Sequence, residues 1–229
     1  MSRFATLFHG LYPKRCLICQ NAMTLERYVC ASCHGTLWPV VDYCTTCGGD
    51  LLPDIGCLHC NEAQPSAIDH IIMGYHYKDA VRTAIVGLKF KRQIYMVRAI
   101  GEWINGVILM HQSWLSTIDA IVPMPVDRVR LAERGFNQVH EIAKVLQPML
   151  AAPILSNVLH KQAFTLPQSG LNRKARLTNL TGALSAHPVN GHLLLLDDVM
   201  TTGKTLQHAA SALKDVGAQT VTALVIAKA

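Results

Sequence analysis

The chain has 229 residues, of which half are apolar and 16% are charged. This composition can bury a hydrophobic core, so it excludes a disordered or collagen-like chain. The formal net charge of +6 is unevenly distributed: residues 1–66 carry four Lys and Arg against five Asp and Glu, whereas residues 67–229 carry seventeen against ten. All eight cysteines lie between Cys16 and Cys60. Length and composition therefore predict a small cysteine-rich module over residues 1–66 and a basic domain over residues 67–229.

The apolar segments argue against export and against membrane insertion. Apolar residues at helical spacing predict a short packing helix over about residues 4–11, and Pro13 follows before an apolar core of secretory length has formed. The longest uncharged stretch, residues 177–196, is interrupted by Pro188 and by polar residues, so it does not resemble a membrane span. We therefore expect a cytoplasmic protein that is not an integral membrane protein. In that reducing compartment, closely spaced cysteines serve as metal ligands more often than as disulfides.

The cysteines form four Cys-x-x-Cys pairs: Cys16 with Cys19, Cys30 with Cys33, Cys44 with Cys47, and Cys57 with Cys60. Two thiolates at this spacing can hold one tetrahedral ion, and a second pair completes a closed four-coordinate site. The pattern predicts two structural zinc ions that stabilise a segment too poor in core to fold alone. The spacing leaves the pairing open, because either consecutive pairs share an ion or the first pair joins the third. Gly48 and Gly49 suit a turn that needs a positive φ.

The second part of the chain alternates strand and helix patterns. Apolar residues recur every three or four positions between residues 76 and 112, and they predict helices separated by the basic break Lys89-Phe-Lys91-Arg92. The further predicted elements are a strand at 119–125, a basic loop with Arg128, Arg130 and Arg134, a helix from about 135 to 150, a strand at 154–159, a long polar segment at 161–180, a strand at 192–197, a helix at 206–216 and a strand at 219–226. This alternation predicts an α/β fold with a parallel sheet flanked by helices, whose ligands bind at the carboxyl ends of the strands.

The most informative motif joins a strand to a helix. Four leucines from Leu193 onward predict a fully buried strand, which ends in two adjacent carboxylates, Asp197 and Asp198. The turn that follows can direct backbone N–H groups and hydroxyls at a phosphate, and the helix N-terminus adds a favourable field. The carboxylates can accept hydrogen bonds from ribose hydroxyls. The motif therefore predicts a ribose 5-phosphate site, formed by Asp197, Asp198, Thr201, Thr202, Gly203, Lys204 and Thr205.

At these residues the chain resembles a known family. Residues 197–205 resemble the 5-phosphoribosyl-1-diphosphate (PRPP) signature of type I phosphoribosyltransferases. The whole chain is similar to the ComF/GntX family of competence-type proteins, which join a Cys-x-x-Cys zinc module to a phosphoribosyltransferase-like domain. The matching segments, in order, are Val122-Pro-Met-Pro125, Arg134-Gly-Phe-Asn-Gln138, Gln168-Ser-Gly-Leu171 with Arg176, and Asp197-Asp198 through Thr205.

The resemblance implies a role for each segment. The two aspartates would hold the ribose hydroxyls, residues 201–205 would hold the 5-phosphate, and Mg²⁺ would accompany PRPP. Basic side chains would face the pyrophosphate or belong to a mobile cover, and the predicted anion-binding residues are Arg128, Arg134, Lys161, Arg173 and Arg176. Three departures from the family pattern are visible: Lys204 replaces a small residue, Arg92 stands where glycine is common, and Leu184 stands where Phe is usual. None of them removes a phosphate-binding group.

Two functions are compatible with these features. The resemblance implies a competence-type factor for the uptake and utilisation of external DNA, which handles single-stranded DNA in the cytosol, binds PRPP and has proteins of the DNA-uptake machinery as partners. The alternative is a phosphoribosyltransferase that acts on an unidentified acceptor, for which no catalytic residue is assigned. The basic residues either form a solvated face or converge on a polyanion. The candidate platforms for unpaired bases are Phe90, Tyr95, Phe136 and Phe164.

Overall fold

A computed structural model describes residues 14–23, 27–57, 60, 66–161 and 184–229. The helix predicted over residues 4–11 lies outside these ranges. So does the segment that contains Gln168, Arg173 and Arg176.

The cysteine-rich part is built from small antiparallel hairpins. Strand β1 (Lys14–Arg15) pairs with β2 (Ala22–Met23), and β3 (Leu51–Leu52) pairs with β4 (Gly56–Cys57). A single helical turn, α1 (Ala31–His34), begins after Cys30, whose thiol accepts the N–H of Cys33. Hairpins of this size cannot fold alone in water, so this part depends on its cysteines and on its contacts with the rest of the chain.

The elements of the second part follow one another as strands and helices. In chain order they are β5 (His70–His76), α2 (Asp79–Phe90), α3 (Met96–Met110), α4 (Gln112–Leu115), β6 (Ala120–Pro123), α5 (Arg128–Arg134), α6 (Gln138–Leu150), β7 (Leu159–Lys161), β8 (Leu184–Ala186), β9 (His192–Met200), α7 (Lys204–Asp215) and β10 (Thr220–Lys228).

Within the described ranges, four parallel strands form the central sheet in the order β5-β10-β9-β6. The four leucines at the start of β9 have no exposed surface, as expected for a strand that is covered on both faces. Helix α3 packs against α2 and α6, while α7 packs against β8, β9 and β10. The fold is therefore α/β, with a parallel sheet flanked by helices and preceded by a cysteine-rich module, as the sequence predicted.

The cysteine-rich part covers the outer edge of β5. The N–H of Val40 donates to the carbonyl of Gly74 at 3.0 Å, and the N–H of Ile71 donates to the carbonyl of Thr45 at 2.6 Å. Pro39 and Tyr75 form an antiparallel bridge. An open strand edge invites pairing with other chains, and this segment occupies it.

Three expectations from the sequence differ from the structure. Residues 128–134 form helix α5 instead of a loop, because the Asp127 carboxylate caps the N–H of Arg130 and Gly135 ends the helix at a φ of 83°. The strand predicted at 154–159 is reduced to a parallel bridge between Ile154 and β6, and β7 pairs antiparallel with β8. Strand β5 was not predicted.

The helices were also compared with the requirements of a membrane span. Among those in the described ranges, none is both long enough and apolar enough to cross a bilayer.

Candidate functional site

A cleft of about 260 Å³ lies at the carboxyl ends of β6 and β9. Parallel sheets bind ligands at this edge because loops and helix N-termini converge there. The charged side chains that line it are Lys89, Asp127, Arg130, Arg134, Lys161, Asp197 and Asp198. Turn residues Thr201, Thr202 and Gly203 and the first-turn residue Thr205 complete its wall.

Asp198 is the most buried charged residue of the cleft. Its side chain is 5% exposed, and its two oxygens have different partners: the Lys89 ammonium donates to Oδ1 at 2.7 Å and the Gln138 amide donates to Oδ2 at 2.9 Å. Arg134 in turn donates to the Gln138 Oε1 atom at 2.8 Å. A buried carboxylate is tolerated only with such partners, so these contacts hold Asp198 in one orientation.

Local sequence places these partners. Gly135 ends α5 in the left-handed region, and the Asn137 side chain then caps α6 by accepting the N–H groups of Val139 and His140. The Asn137 amide also donates to the carbonyl of Met124 at 3.0 Å, which ties the start of α6 to the end of β6. Gln138 is therefore the first residue of a helix that begins at the cleft, and its side chain reaches Asp198.

Asp197 has a different environment from its neighbour. Burial, together with the adjacent charge of Asp198, raises the pKa of Asp197 to about 7, although the N–H of Asp198 and the charges of Lys89 and Lys161 act in the opposite direction. That N–H donates to the Asp197 Oδ1 atom at 2.8 Å. Near neutral pH, Asp197 is therefore a carboxyl group that can exchange a proton, beside an Asp198 side chain that its hydrogen bonds hold in place.

The turn after β9 leads directly into α7. Gly203 takes a φ of 73° and precedes the first helical residue, and no side chain in the described ranges caps this helix N-terminus. The first N–H groups of a helix lack intrahelical partners and attract anions. The turn thus offers hydrogen-bond donors beside the two carboxylates.

The structure brings together most of the predicted site residues. Of the predicted ribose 5-phosphate residues, all but Lys204 line the cleft. Of the predicted anion-binding residues, Arg134 and Lys161 line it and Arg128 does not. Arg173 and Arg176 lie outside the described residues.

Two residues acquire a specific contact that sequence reasoning did not assign. The sequence places Lys89 in a basic break, among the residues that either form a solvated face or converge on a polyanion, and it places Gln138 at the end of a motif. The sequence held a weak signal for both, because each lies near the end of an element that flanks the sheet. Their pairing with Asp198 depends on packing across the sheet.

The eight cysteines form two groups, each with its sulfur atoms within 4.8 Å of one another: Cys16, Cys19, Cys30 and Cys33, and Cys44, Cys47, Cys57 and Cys60. Consecutive pairs therefore share a site, which resolves the alternative left open by the spacing. Sulfur atoms around a tetrahedral zinc ion lie about 3.8 Å apart, given a Zn–S length of about 2.3 Å. The Cys19–Cys30 and Cys44–Cys60 separations, 3.7 and 3.6 Å, fit this value.

Backbone N–H groups also support the thiolates. The N–H groups of Ile18 and Cys30 both donate to the Cys16 sulfur at 3.4 Å. At Cys44, burial acts against ionisation, but the backbone N–H groups of Cys47 and Thr46 lower its pKa to about 6. Both groups thus have the ligand type, spacing and hydrogen bonding of a closed structural zinc site.

The second cysteine group lies against the turn of the cleft. Gly48, with a φ of 73°, comes so close to Met73 and Met200 that an added Cβ would lie 2.3 and 2.7 Å from their terminal carbons. A Cβ on Gly203 would lie 3.4 Å from the carbonyl oxygen of Cys47. Gly49 does not share the positive φ that was expected for both glycines.

The segment that carries the first cysteine group contacts helix α3 through Tyr28. The N–H of Tyr28 donates to the Glu102 carboxylate in α3 at 2.8 Å, and the Arg98 guanidinium lies 5.7 Å from the centre of the Tyr28 ring. The first cysteine group therefore lies near helix α3, and the second lies near the turn of the cleft.

Comparison with known protein families matches both parts of the chain. A double zinc ribbon domain matches residues 7–62, and a phosphoribosyl transferase domain matches residues 134–229. The chain is 28% identical to Competence protein F of Haemophilus influenzae over 94% of this chain and 97% of that protein. It is 28% identical to DNA utilization protein YhgH of Salmonella typhimurium, over 91% and 94%. It is 24% identical to Competence protein ComFC of Bacillus subtilis, over 91% and 92%.

The chain thus joins a double zinc ribbon domain to a phosphoribosyl transferase domain, and it is similar to the ComF/GntX family. The same two domains occur in the same order, and the relatives match along nearly their whole length. The central sheet and its cleft are thus those of a phosphoribosyltransferase domain, and the cysteine groups are those of a double zinc ribbon.

The position of the second cysteine group yields a prediction about the cleft. Cys47→Ser should remove one zinc ion and loosen the turn at residues 201–205, because the backbone of Cys47 lies against Gly203. Amide hydrogen exchange in that turn should rise about tenfold or more. The measurement combines zinc content with exchange mass spectrometry.

The matched control is Cys19→Ser, which removes a ligand from the first group. It should lower the zinc content equally while leaving exchange at residues 201–205 unchanged. Equal exchange in that turn for both variants would show that the second group does not support the cleft.

The raised pKa of Asp197 predicts an unusual pH dependence of stability. The pKa of Asp197 is about 7 in the folded chain, above its ordinary value of 3.8. In the pH range between these two values, the folded chain therefore binds more protons than the unfolded chain. The free energy of unfolding contributed by this group therefore falls as pH rises through that window. Asp197→Asn, which keeps the oxygen that accepts the Asp198 N–H, should raise the free energy of unfolding by about 1–3 kcal/mol at pH 8 and by little near pH 4.

Denaturant unfolding at several pH values measures this effect, with the exposed Asp215→Asn as the control of equal charge change. If Asp197→Asn loses stability at pH 8, or keeps the pH dependence of the wild type, the assigned environment of Asp197 is wrong.

Proposed function

We propose that this chain is a competence-type, DNA-utilisation factor that binds PRPP with Mg²⁺ in the cleft at the end of β9. The observation that carries the proposal is the fixed, buried carboxylate of Asp198 beside a helix N-terminus that no described side chain caps. A ribose 5-phosphate needs acceptors for its hydroxyls and donors for its phosphate, and this strand end supplies both within one turn of chain. The phosphoribosyl transferase domain match supports the same ligand class.

The parts of PRPP then have separate places. The ribose hydroxyls would meet Asp197 and Asp198, and the 5-phosphate would lie at residues 201–205. Arg134 and Lys161 would face the pyrophosphate, as would Arg128, Arg173 and Arg176 if they reach the cleft with ligand bound. Mg²⁺ would neutralise part of the pyrophosphate charge.

The biological role rests on the relatives. Two of them are named competence proteins and another a DNA utilization protein. We propose that this chain handles single-stranded DNA in the cytoplasm, together with proteins of the uptake machinery. Support comes from the excess of positive charge in residues 67–229 and from free cysteines grouped as metal ligands rather than disulfides.

Calorimetric titration of PRPP, with and without Mg²⁺, tests the ligand. Wild type should bind PRPP, and Mg²⁺ should increase the affinity. Asp198→Ala should weaken binding by at least about tenfold, because the ribose hydroxyls lose a buried acceptor. The control of equal charge change is the exposed Asp215→Ala, which should bind as wild type does. Absence of PRPP binding by the folded wild type would refute the proposal.

A second candidate function is phosphoribosyl transfer. The carboxyl group of Asp197 favours it, because a group with a pKa near 7 can remove a proton from the molecule that receives the phosphoribosyl group. An assay for pyrophosphate release, run on the proteins used in the PRPP titration, tests this function. A transferase releases pyrophosphate from PRPP when given an acceptor, whereas a protein that only binds PRPP releases none with any nucleobase or amine.

Binding of single-stranded oligonucleotide tests the DNA role. Affinity should fall steeply with salt, and neutralising Arg173, Lys174 and Arg176 should make the slope of log affinity against log salt shallower by about 2. The control is a triple variant at Arg82, Arg98 and Lys144, which lie on helices away from the cleft. Equal slopes for the two triple variants would contradict a role for the 173–176 segment.

A further inference from the structure

A second pocket, of about 320 Å³, adjoins the cleft at the end of α2 and the side of α5. We name it the α2–α5 pocket; its lining residues are Lys89, Phe90, Arg92, Arg130, Glu133 and Arg134. Four of these, all but Arg92 and Glu133, also line the cleft at the end of β9. The two cavities are therefore neighbouring lobes of one groove.

Phe90 offers an aromatic surface to this pocket. Its side chain is 70% exposed at the end of α2, although phenylalanine is usually buried. The Arg134 guanidinium lies 5.3 Å from the centre of the ring. A planar ring such as a nucleobase can stack on an exposed aromatic side chain, and a neighbouring guanidinium adds to the attraction.

Arg92 has a backbone conformation that arginine rarely adopts. Its φ of 52° lies in the left-handed region, which a residue with a Cβ avoids and which glycine adopts freely. The Arg92 guanidinium donates to the carbonyl of Glu133 at 2.8 Å, and this bond uses one of its five N–H groups. Backbone strain of this kind is concentrated at ligand-binding and active sites, although it also occurs at helix ends such as Ala151.

The charges of the pocket favour an anion. Arg92, Arg130 and Arg134 face it with one carboxylate, Glu133, while Lys89 is already paired with Asp198. Arg130 is shared with Asp127 at 3.3 Å, in an exposed pair that water screens. The chemistry therefore combines an aromatic platform with guanidinium groups, which suits a ligand that has both a planar ring and a phosphate.

We propose that the α2–α5 pocket binds a nucleotide, with the base stacked on Phe90 and a phosphate held by Arg92 and Arg130. The proposal deepens the proposed function and rests on it in one respect: PRPP occupies the neighbouring lobe and leaves this pocket to a second ligand. The nucleotide is either free or one unit of a DNA strand, since the recognised chemistry is the same.

Fluorescence titration with 2-aminopurine separates these sources. The probes are the free deoxynucleoside 5′-phosphate of 2-aminopurine, its nucleoside, and a short single-stranded oligonucleotide that contains the same base. Phe90→Ala should weaken binding of the nucleotide by about tenfold or more, whereas Phe90→Trp should retain it. Arg92→Gly should weaken nucleotide binding several-fold and leave nucleoside binding unchanged, because the nucleoside has no phosphate.

Arg92→Gly also distinguishes a binding role from a structural one. Glycine relieves the positive φ, so the melting temperature should stay the same or rise, and PRPP affinity should stay the same because Arg92 does not line the first lobe. The control is Arg82→Ala, which removes an equal charge from the exposed side of α2, the helix that precedes Arg92, and should change none of these readouts.

The outcomes separate the hypotheses. If the variants weaken binding of the free nucleotide, the ligand is a free nucleotide; if they weaken only the oligonucleotide, it is a DNA strand, and both results support the pocket. If wild type binds neither probe, or if Phe90→Ala and Arg92→Gly bind as wild type does, the proposal is refuted. A lower melting temperature with lower PRPP affinity for Arg92→Gly refutes it too. If PRPP does not bind but the nucleotide pattern holds, only the proposed function fails.

Discussion

Asp198 brings a negative charge to the carboxyl end of a strand that carries four buried leucines, and two other parts of the fold must meet it there. The carboxylate is nearly buried, and an unpartnered charge at this depth would cost several kcal/mol. Helix α2 therefore has to end where Lys89 can reach one oxygen, and α6 has to begin where Gln138 can reach the other. Because these helices follow β5 and β6, the requirement at one carboxylate fixes how both sides of the cleft are assembled.

The zinc ribbons contribute to the cleft as well as to the N-terminal part. The backbone around the second cysteine group pairs with β5 and approaches Gly203, while the Thr46 carbonyl accepts the hydroxyl of Ser66. Ser66 is in turn hydrogen-bonded to Gln207 of α7 at 2.9 Å. A zinc site with no open position cannot take part in chemistry, but it can hold this backbone rigid. One physical link between the two parts is thus a closed cysteine site that lies behind the turn at residues 201–205.

Much of this architecture is visible in the sequence because the signals are local. The run from Leu193 to Asp198 predicts both the buried strand and its functional end, and the Cys-x-x-Cys pairs predict both metal sites. Helix α5 was missed because its apolar content is low, and its formation depends on the caps at Asp127 and Gly135. Strand β5 was missed because its short apolar run between histidines has no period. The roles of Lys89 and Gln138 could not be predicted, since each depends on a partner at least 60 positions away in the chain.

The pairing of charges in the cleft also bears on the proposed need for Mg²⁺. Lys89 forms an ion pair with Asp198, and Arg130 forms one with Asp127. Arg134 donates a hydrogen bond to Gln138. A count of cations would therefore overstate the positive potential that an incoming pyrophosphate meets. To use these side chains directly, the ligand would have to displace their partners, and releasing Lys89 would leave Asp198 buried without its counter-charge. In the proposed PRPP complex, a divalent ion that arrives with the ligand would supply the missing charge while every internal pair stays intact. The pairing that stabilises the cleft would thus also favour a metal-bound form of the proposed ligand.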